Sequence, residues 1–456
     1  MKKISLSILA LSSALLATPE VTTLTEVFSE AKTSGNVKYY FIQTDKNKAN
    51  AADTSANANT IGGQLSFDTA SFYGVSGGIT FMTTNPFLLR SNDSKVDSSI
   101  IGRDNGVRAL ATGSTVTQAN QIKTEGFSVL GEAYLAYNYK GFGALIGREV
   151  IKTPLIDAKE VRLLPSAVEG GSLRYKLGKT TKFDLSYYSG FKQRTSDEFI
   201  NITRHALGNK TETITGSSRG YVGVVSVEHK TDNFSLKAYD YYADDFINSL
   251  YLDGSYKFKT SSLAFSLAAQ YINQTSIGHA DNYLGDNTSV AGGSISSNAM
   301  GLKGSMKVSS AKFVLAYSKV FRNSGKHDSL VLPWDGTPLF TNMITSNDLF
   351  ISNYGQALAS DSVYIGGSQG IKFAYNQQFG AGFSSTLAYL NTSNSREGFD
   401  KNQNDYNIVL QYKAPKAFTL QLKGIWVENN TGASADGRVA QLKLLSQYRV
   451  IANYKF

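Results

Sequence analysis

The chain ends on "SQYRVIANYKF" (residues 446–456), and this stretch decides the fold. Every second residue back from the end is apolar or aromatic: Phe456, Tyr454, Ala452, Val450 and Tyr448. The residues between them are mostly polar. Such alternation turns one face of a strand toward lipid and the other toward a wet interior. Because an edge strand of a soluble sandwich shows the same pattern, the rest of the chain has to separate the two.

The first residues indicate export. Met1-Lys2-Lys3 is a basic start, and an apolar run interrupted only by small serines follows from Ile4 to Leu16. This run has the length of a signal-peptide core and is too short to cross a bilayer as a helix. We therefore expect three parts: a signal peptide over 1–17, with a weakly marked cleavage site, a short periplasmic segment over 18–35, and a β-barrel over 36–456.

The composition is that of a chain whose strands each have one polar face. No second apolar stretch approaches the roughly 20 residues of a transmembrane helix, so a membrane location requires a closed barrel, which satisfies its own backbone hydrogen bonds in lipid. The chain has 41 Gly, 26 Tyr and 25 Phe and no Cys. The lack of Cys excludes disulfide scaffolds and thiol catalysis. The net charge of +9 comes from singly scattered lysines and favours a positively biased lumen over a nucleic-acid surface.

Windows with period-two alternation number eighteen, an even count. Long and short connections alternate between them, which is typical of a transmembrane antiparallel β-barrel with tight periplasmic turns at one rim and long extracellular loops at the other. A barrel of this size has a lumen too wide for side chains to fill, so we expect loops to narrow it. The predicted long loops include 45–59, 84–125, 151–170, 191–220, 273–300 and 321–367.

Four segments resemble, in order, the OprD family of outer-membrane porins, and the resemblance covers almost the whole mature chain. They are residues 25–41, 147–178, 237–258 and 332–342. The matching features include Thr153-Pro154 and Arg162-Leu163-Leu164-Pro165 in the second segment, and Gly336-Thr337-Pro338 in the fourth. The resemblance implies an eighteen-stranded porin for small, often carboxylate-bearing solutes, with two loops folded inward and a row of basic side chains along the lumen. Residues 84–125 match nothing in that family.

Strand parity places a set of basic residues on the polar, lumen-facing side. A row of cations in a confined lumen lowers the barrier for a carboxylate or phosphate. The alternative is that these residues only solvate the lumen and pair with Glu132, Asp184 and Asp253. The set is Arg174, Lys176, Lys237, Lys303, Lys307, Lys312, Lys372, Lys423 and Arg449, of which Lys303, Lys372, Lys423, Arg449 and Arg174 are the candidates for the substrate pathway.

Acidic residues in the two loops expected to fold inward are candidates for the opposite wall of a constriction. Asp157, Glu160 and Asp335 lie in these loops, with Arg162 nearby. Acid facing base across a narrow pore creates a transverse field that orients zwitterions. The alternative is that they are ordinary loop charges, since Asp335-Gly336 is itself a turn dipeptide.

No arrangement of catalytic residues stands out, and we expect neither an enzyme nor a cofactor nor a bound metal. The four histidines are not spaced as metal ligands, and the chain has no Gly-x-Ser-x-Gly elbow and no phosphate loop.

The sequence therefore predicts a passive channel for small hydrophilic solutes in the outer membrane of a Gram-negative bacterium, with a preference for anions. Its expected partners are these solutes, the membrane lipid, and the assembly machinery that reads a C-terminal strand ending in Phe. Two alternatives stay open. One is a carbohydrate- or peptide-selective porin with a slide of lumen aromatics, and the other is a surface adhesin whose long polar loops bind a host or matrix partner.

Overall fold

The strands form one closed antiparallel barrel. A computed structural model describes residues 20–48, 53–87, 126–158, 162–344, 365–396, 399–415, 417–429 and 442–456. We number the barrel strands as follows: β1 Lys32–Lys48, β2 Thr54–Asp68, β3 Val75–Pro86, β4 Phe127–Tyr139, β5 Phe142–Glu149, β6 Ala167–Leu177, β7 Thr181–Lys192, β8 Val222–Lys230, β9 Phe234–Ala243, β10 Ile247–Lys259, β11 Leu263–Ser276, β12 Ser296–Val308, β13 Ala311–Val320, β14 Ser368–Gly380, β15 Phe383–Arg396, β16 Phe399–Lys413, β17 Phe418–Asn429 and β18 Leu442–Lys455.

The last strand closes the ring against the first. β18 pairs antiparallel with β1 from Asn36 opposite Lys455 to Lys48 opposite Leu442. The pairing continues to the end of the chain, because the Phe456 backbone N–H donates to the Gly35 carbonyl at 3.1 Å. The even strand count predicted from the sequence is confirmed.

The two faces of each strand follow the alternation in the sequence. On β1, Val37 is 49% exposed on the outer surface, whereas Tyr40 is 1% exposed and contacts groups inside the barrel. On β17, Leu422 is exposed and Ile425 is buried. Large apolar side chains stay exposed on the outer parity because their partner is lipid, and tyrosines such as Tyr389 join them where an aromatic girdle is expected.

We call the rim at which β1 begins and β18 ends the terminal rim. The connections between strands at this rim are short, as predicted. The opposite rim, the loop rim, is less uniform than predicted. A long loop was expected over 45–59, but the connection comprises only residues 49–53. β1 and β2 continue to pair within the expected loop, as far as Lys46 opposite Thr54. The connections 244–246 and 397–398 are shorter still. Asp245 lies in the first of these turns with a φ of +48°.

Four of the longer loops fold into the barrel and build its core. We name them L3 (150–166), L4 (193–221), L6 (277–295) and L7 (321–367), of which 159–161 and 345–364 lie outside the described residues. L4 carries the short helices Ile202–Leu207 and Thr211–Thr215, and L6 carries Gly278–Asp286 and Thr288–Ala291. Apolar side chains of all four loops pack with inward residues of the wall in one buried cluster. The core is therefore inside the barrel and narrows it from one side.

A short segment precedes the barrel at the terminal rim. Glu20–Val21 pairs parallel with Ser71–Phe72, and a six-residue helix, Leu24–Ser29, follows. Its N-cap is a capping box between Thr23 and Glu26. Within the described part of the chain, no helix is long and apolar enough to cross a membrane.

Candidate functional site

L3 crosses the lumen and rests on the first strands. The Lys38 ammonium on β1 donates a hydrogen bond to the Leu163 carbonyl at 3.0 Å. Leu163 and Leu164 are buried in a cluster with Tyr40 and Ile42 of β1, and with side chains of β3 and β4. Because these are inward positions of the strands, L3 occupies part of the channel cross-section.

L7 approaches the opposite wall. We call residues 331–344 the L7 strap. It follows the inner wall from β11 to β16 and touches one inward side chain after another. Gln274 and Gln270 bind its backbone at Val331 and at Pro338 and Phe340. At its far end the Ile344 N–H donates to the Asn407 side chain at 2.9 Å.

L3 and L7 are also bonded to each other. Ile156 and Asp335 form an isolated antiparallel bridge, and the Asp157 N–H donates to the Trp334 carbonyl at 3.1 Å. The Asp335 carboxylate accepts a 2.5 Å hydrogen bond from the Ser166 hydroxyl and lies 3.1 Å from the Arg194 guanidinium of L4. One buried acid thus joins three loops.

The predicted constriction residues therefore have different surroundings. Asp335 is only 1% exposed, so its carboxylate is enclosed among the loops and does not line an open pore. Arg162 is also buried, and Asp157 is half-buried. Glu160 lies outside the described residues. The acid-against-base field placed on these loops stays a prediction, and at Asp335 the enclosed geometry fits the local-bridge alternative.

Two lysines of the predicted pathway lie beneath the L7 strap. The Lys303 ammonium is 3.8 Å from the centre of the Phe340 ring, and the Lys372 ammonium donates to the Asn342 carbonyl at 2.6 Å. Their register places them in one row of the wall, with Ala316 between them. Since strands in a sheet lie about 4.8 Å apart, the two backbones are separated by roughly 10 Å.

The other candidate cations do not continue this row. Lys307 faces Lys312 directly across β12 and β13, and Lys423 faces Arg449 across β17 and β18. These two pairs lie in a second row of the wall, but the strands β14, β15 and β16 separate them. In that row the three strands carry the uncharged residues Asn376, Thr386 and Val409. From β12 to β18 the candidate cations therefore form one group on β12–β14 and a separate pair at the seam.

Arg449 is enclosed rather than open to the lumen. It is 1% exposed, its Nε donates to the Gln447 side chain at 2.6 Å, and Nη1 donates to the Tyr40 hydroxyl at 3.3 Å. Parity placed it on the inner face, as predicted. Its partners lie on β18 itself and on β1, an enclosure that strand parity does not indicate.

Arg174 is bound by acids of the wall. Its guanidinium lies 3.1 Å from the Glu149 carboxylate and 3.1 Å from that of Asp184. At this position the arrangement matches the alternative in which lumen cations pair with lumen acids. The charge of Arg174 is therefore compensated locally, unlike that of Lys303, whose neighbour is an aromatic ring.

The sequence analysis did not identify three residues that hold the loops: two neutral glutamines and one lysine. Gln270 and Gln274 lie on one inward face of β11, and Lys38 lies on that of β1. The same parity that selected the other lysines also marks Lys38, because Val37 and Tyr39 on either side are apolar or aromatic. No sequence signal marks the two glutamines, since their partners are backbone atoms about 60 to 70 residues away.

Comparisons with known proteins agree with this geometry. The family model described as outer membrane porin, OprD family, matches residues 28–357. Among solved structures, Pseudomonas aeruginosa OccK9 (OpdG) is 14% identical with a TM-score of 0.70, covering 94% of this chain and 99% of that one. Acinetobacter baumannii OccAB3 is 12% identical with a TM-score of 0.71 and the same coverage. No curated protein matches the chain.

Proposed function

Because this chain belongs to the OprD family of outer membrane porins, we propose that its channel passes small hydrophilic solutes with a preference for anions, carboxylates in particular. Porins of this family lie in the outer membrane of Gram-negative bacteria, with the barrel embedded in lipid. What supports the anion preference is one observation: Lys303 and Lys372 lie together in the narrowed part of the lumen, one against the Phe340 ring and the other against the Asn342 carbonyl.

The contacts of these two lysines leave most of their charge available. An aromatic ring and a backbone carbonyl attract an ammonium through a quadrupole and a dipole, which do not cancel its charge as a carboxylate does. Lys237 and Lys312 are within electrostatic reach of Lys303, and so is one acid, Asp253, while Asp405 is within reach of Lys372. A carboxylate entering the narrow region exchanges part of its hydration shell for these ammonium groups, so its barrier falls.

The test is the reversal potential of single channels across a salt gradient. Even at the dielectric constant of water, a unit charge about 4 Å from an ion changes its energy by about 1 kcal/mol. Removing both charges in Lys303→Gln/Lys372→Gln therefore lowers the anion-to-cation permeability ratio by on the order of tenfold. Lys179→Gln, in a tight turn at the terminal rim, is the control and leaves the ratio unchanged. Equal reversal potentials for the double variant and the parent would refute the proposal.

A solved relative indicates the kind of anion to try. The structure of Pseudomonas aeruginosa OpdK, 13% identical, contains vanillate, which is an aromatic carboxylate. We propose carboxylates as the first panel of solutes for this chain. Current block by neutral sugars but not by organic anions would instead favour the carbohydrate-selective alternative. Loop deletions that abolish attachment but keep conductance would favour the adhesin alternative.

We also propose that the assembly machinery recognises β18 and that residues 1–17 are a signal peptide. Phe456 is 57% exposed at the end of the closing strand, where a recognition factor could reach it before closure. Deleting Phe456 should lower the amount of folded barrel in the outer membrane without changing the conductance of the molecules that do assemble. Mass spectrometry of the mature N-terminus tests the cleavage site.

A further inference from the structure

The side-chain amide of Gln274 binds the L7 strap, and all of its hydrogen-bonding positions are occupied. Its Nε2 donates to the Val331 carbonyl at 2.9 Å and to the Ser249 hydroxyl at 3.0 Å. Its Oε1 accepts from the Val331 N–H at 2.7 Å and from the Ser297 hydroxyl at 3.4 Å. A glutamine amide has two donors and two acceptor sites, so every one of them is occupied and the orientation of the group is fixed.

Gln270, four residues earlier on β11, also binds the strap backbone through both ends of its amide. Its Nε2 donates to the Pro338 carbonyl at 2.9 Å, and its Oε1 accepts from the Phe340 N–H at 2.7 Å. Its neighbour across the ladder is Gly301, where a Cβ would come within 2.5 Å of Oε1. The wall thus leaves a space in which the Gln270 side chain lies.

Both side chains offer the strap backbone a carbonyl and an N–H side by side, as a neighbouring strand does. Gln274 exchanges both bonds with Val331, as in an antiparallel pair, whereas Gln270 bonds the Pro338 carbonyl and the Phe340 N–H on either side of Leu339, as in a parallel pair. Gln270 and Gln274 are four residues apart on one face of β11, which separates their contact points by roughly 13 Å. Six residues of the strap lie between Val331 and Pro338, enough to span that distance and still reach L3 and L4 with Trp334 and Asp335.

We propose that Gln270 and Gln274 are positioning residues that fix the L7 strap against the wall and so place Phe340 and Asn342 over Lys303 and Lys372. The pair thereby sets the width of the channel at this level. It also sets the access of solutes to the two lysines, and this second part rests on the proposed anion preference.

The test uses a single reporter thiol, because the chain has no cysteine of its own. Asn342→Cys places the thiol on the strap and keeps the backbone carbonyl that Lys372 binds. Gln270→Glu keeps the shape and the acceptors but loses both donors, and it sets a carboxylate against the Pro338 carbonyl. Loss of a buried hydrogen-bond partner raises the open fraction of the strap about ten- to hundredfold, so a water-soluble thiol reagent modifies the reporter faster by that factor.

The matched control is Gln421→Glu, which makes the same change on the inner wall. Gln421 lies on β17, and its Nε2 donates to the Gln411 Oε1 of the neighbouring strand β16 at 2.7 Å, so its amide bonds the wall itself. In this control the modification rate stays that of the parent, and open-channel current noise rises only in Gln270→Glu. A second variant, Gly301→Ala, crowds Gln270 from the wall without changing its chemistry and shifts the rate in the same direction.

Equal modification rates in Gln270→Glu, Gly301→Ala and the parent, with all three barrels keeping the heat-sensitive gel mobility of folded barrels, would overturn the proposal. The two proposals fail separately. Faster modification with an unchanged reversal potential in Lys303→Gln/Lys372→Gln keeps the positioning role and removes the anion preference. The opposite combination removes the positioning role alone.

Discussion

Replacing Asp335 by alanine should loosen the joined loops without unfolding the barrel. The carboxylate is 1% exposed and its partner Arg194 has an 11% exposed side chain, so the pair is shielded from water on both sides. Lys192, fully buried, donates to the Pro165 carbonyl close by. The substitution removes the acid that faces these cations and the acceptor of the Ser166 hydroxyl. Removal of one partner of a buried ion pair costs about 3–5 kcal/mol.

The barrel strands keep their hydrogen-bond ladders in this variant. The substitution therefore lowers the free energy of opening the loops locally, and not that of unfolding the barrel. A loss of about 3–5 kcal/mol raises the population of the open loop arrangement by on the order of 10²- to 10³-fold. Hydrogen exchange of the purified barrel measures it at the Asp157 amide, which is bonded to the Trp334 carbonyl across L3 and L7.

Asp281→Ala is the matched control for Asp335→Ala. Asp281 also accepts a hydroxyl hydrogen bond, from Ser276 at 2.7 Å, but it lies on the exposed side of L6. The control should leave the exchange at Asp157 unchanged. If protection at Asp157 is the same in Asp335→Ala and the parent, the buried acid does not hold the loops and the reasoning is wrong.

Two further predictions concern the L3–L7 contact and the segment before the barrel. In Gly336→Ala the new Cβ would lie 2.4 Å from the Leu155 carbonyl oxygen, so L3 and L7 separate and single-channel conductance rises; Gly254→Ala, with nothing within 4 Å, should match the parent. Backbone N–H groups of Thr22 and Thr23 hold the pKa of Glu26 below its ordinary value. Because folding lowers this pKa, the ionised Glu26 carboxylate stabilises the folded helix. This stabilisation is complete above the ordinary glutamate pKa of about 4.3 and is lost as the pH falls through the lowered pKa. Exchange protection of the Leu24–Ser29 helix should follow that course, and Glu26→Gln should remove the pH dependence.

The wall could be predicted from sequence because lipid and water impose a strict rule on every second residue. The polar and apolar faces of β17 and β18 are readable from Lys423, Arg449 and their neighbours without any tertiary information. The same rule explains why the number of strands was right while some ends were not. Beyond the membrane both faces of a hairpin meet water, so the alternation fades although β1 and β2 continue to pair.

The site was less predictable because its geometry depends on loops that fold back over the wall. Parity places Arg449 on the inner face, but it does not indicate that the side chain is enclosed with Tyr40, on which L3 packs. Asp335 reads as a turn residue, and its burial depends on Ser166 and Arg194, which lie in other loops. Lys303 was chosen for its charge alone, and its neighbour Phe340 could not be found from spacing.

The position of L3 has a consequence for the order in which the molecule is built. Leu163 and Leu164 pack on β1, and Ile451 of β18 packs against the same cluster. The seam itself joins residues as distant as Asn36 and Asn453, 417 positions apart, whose side chains bond at 2.9 Å. Loop-closure entropy makes such a contact late to form. L3 can reach its final seat only when both chain ends are in place, so the narrow passage and the finished ring should mature in the same step.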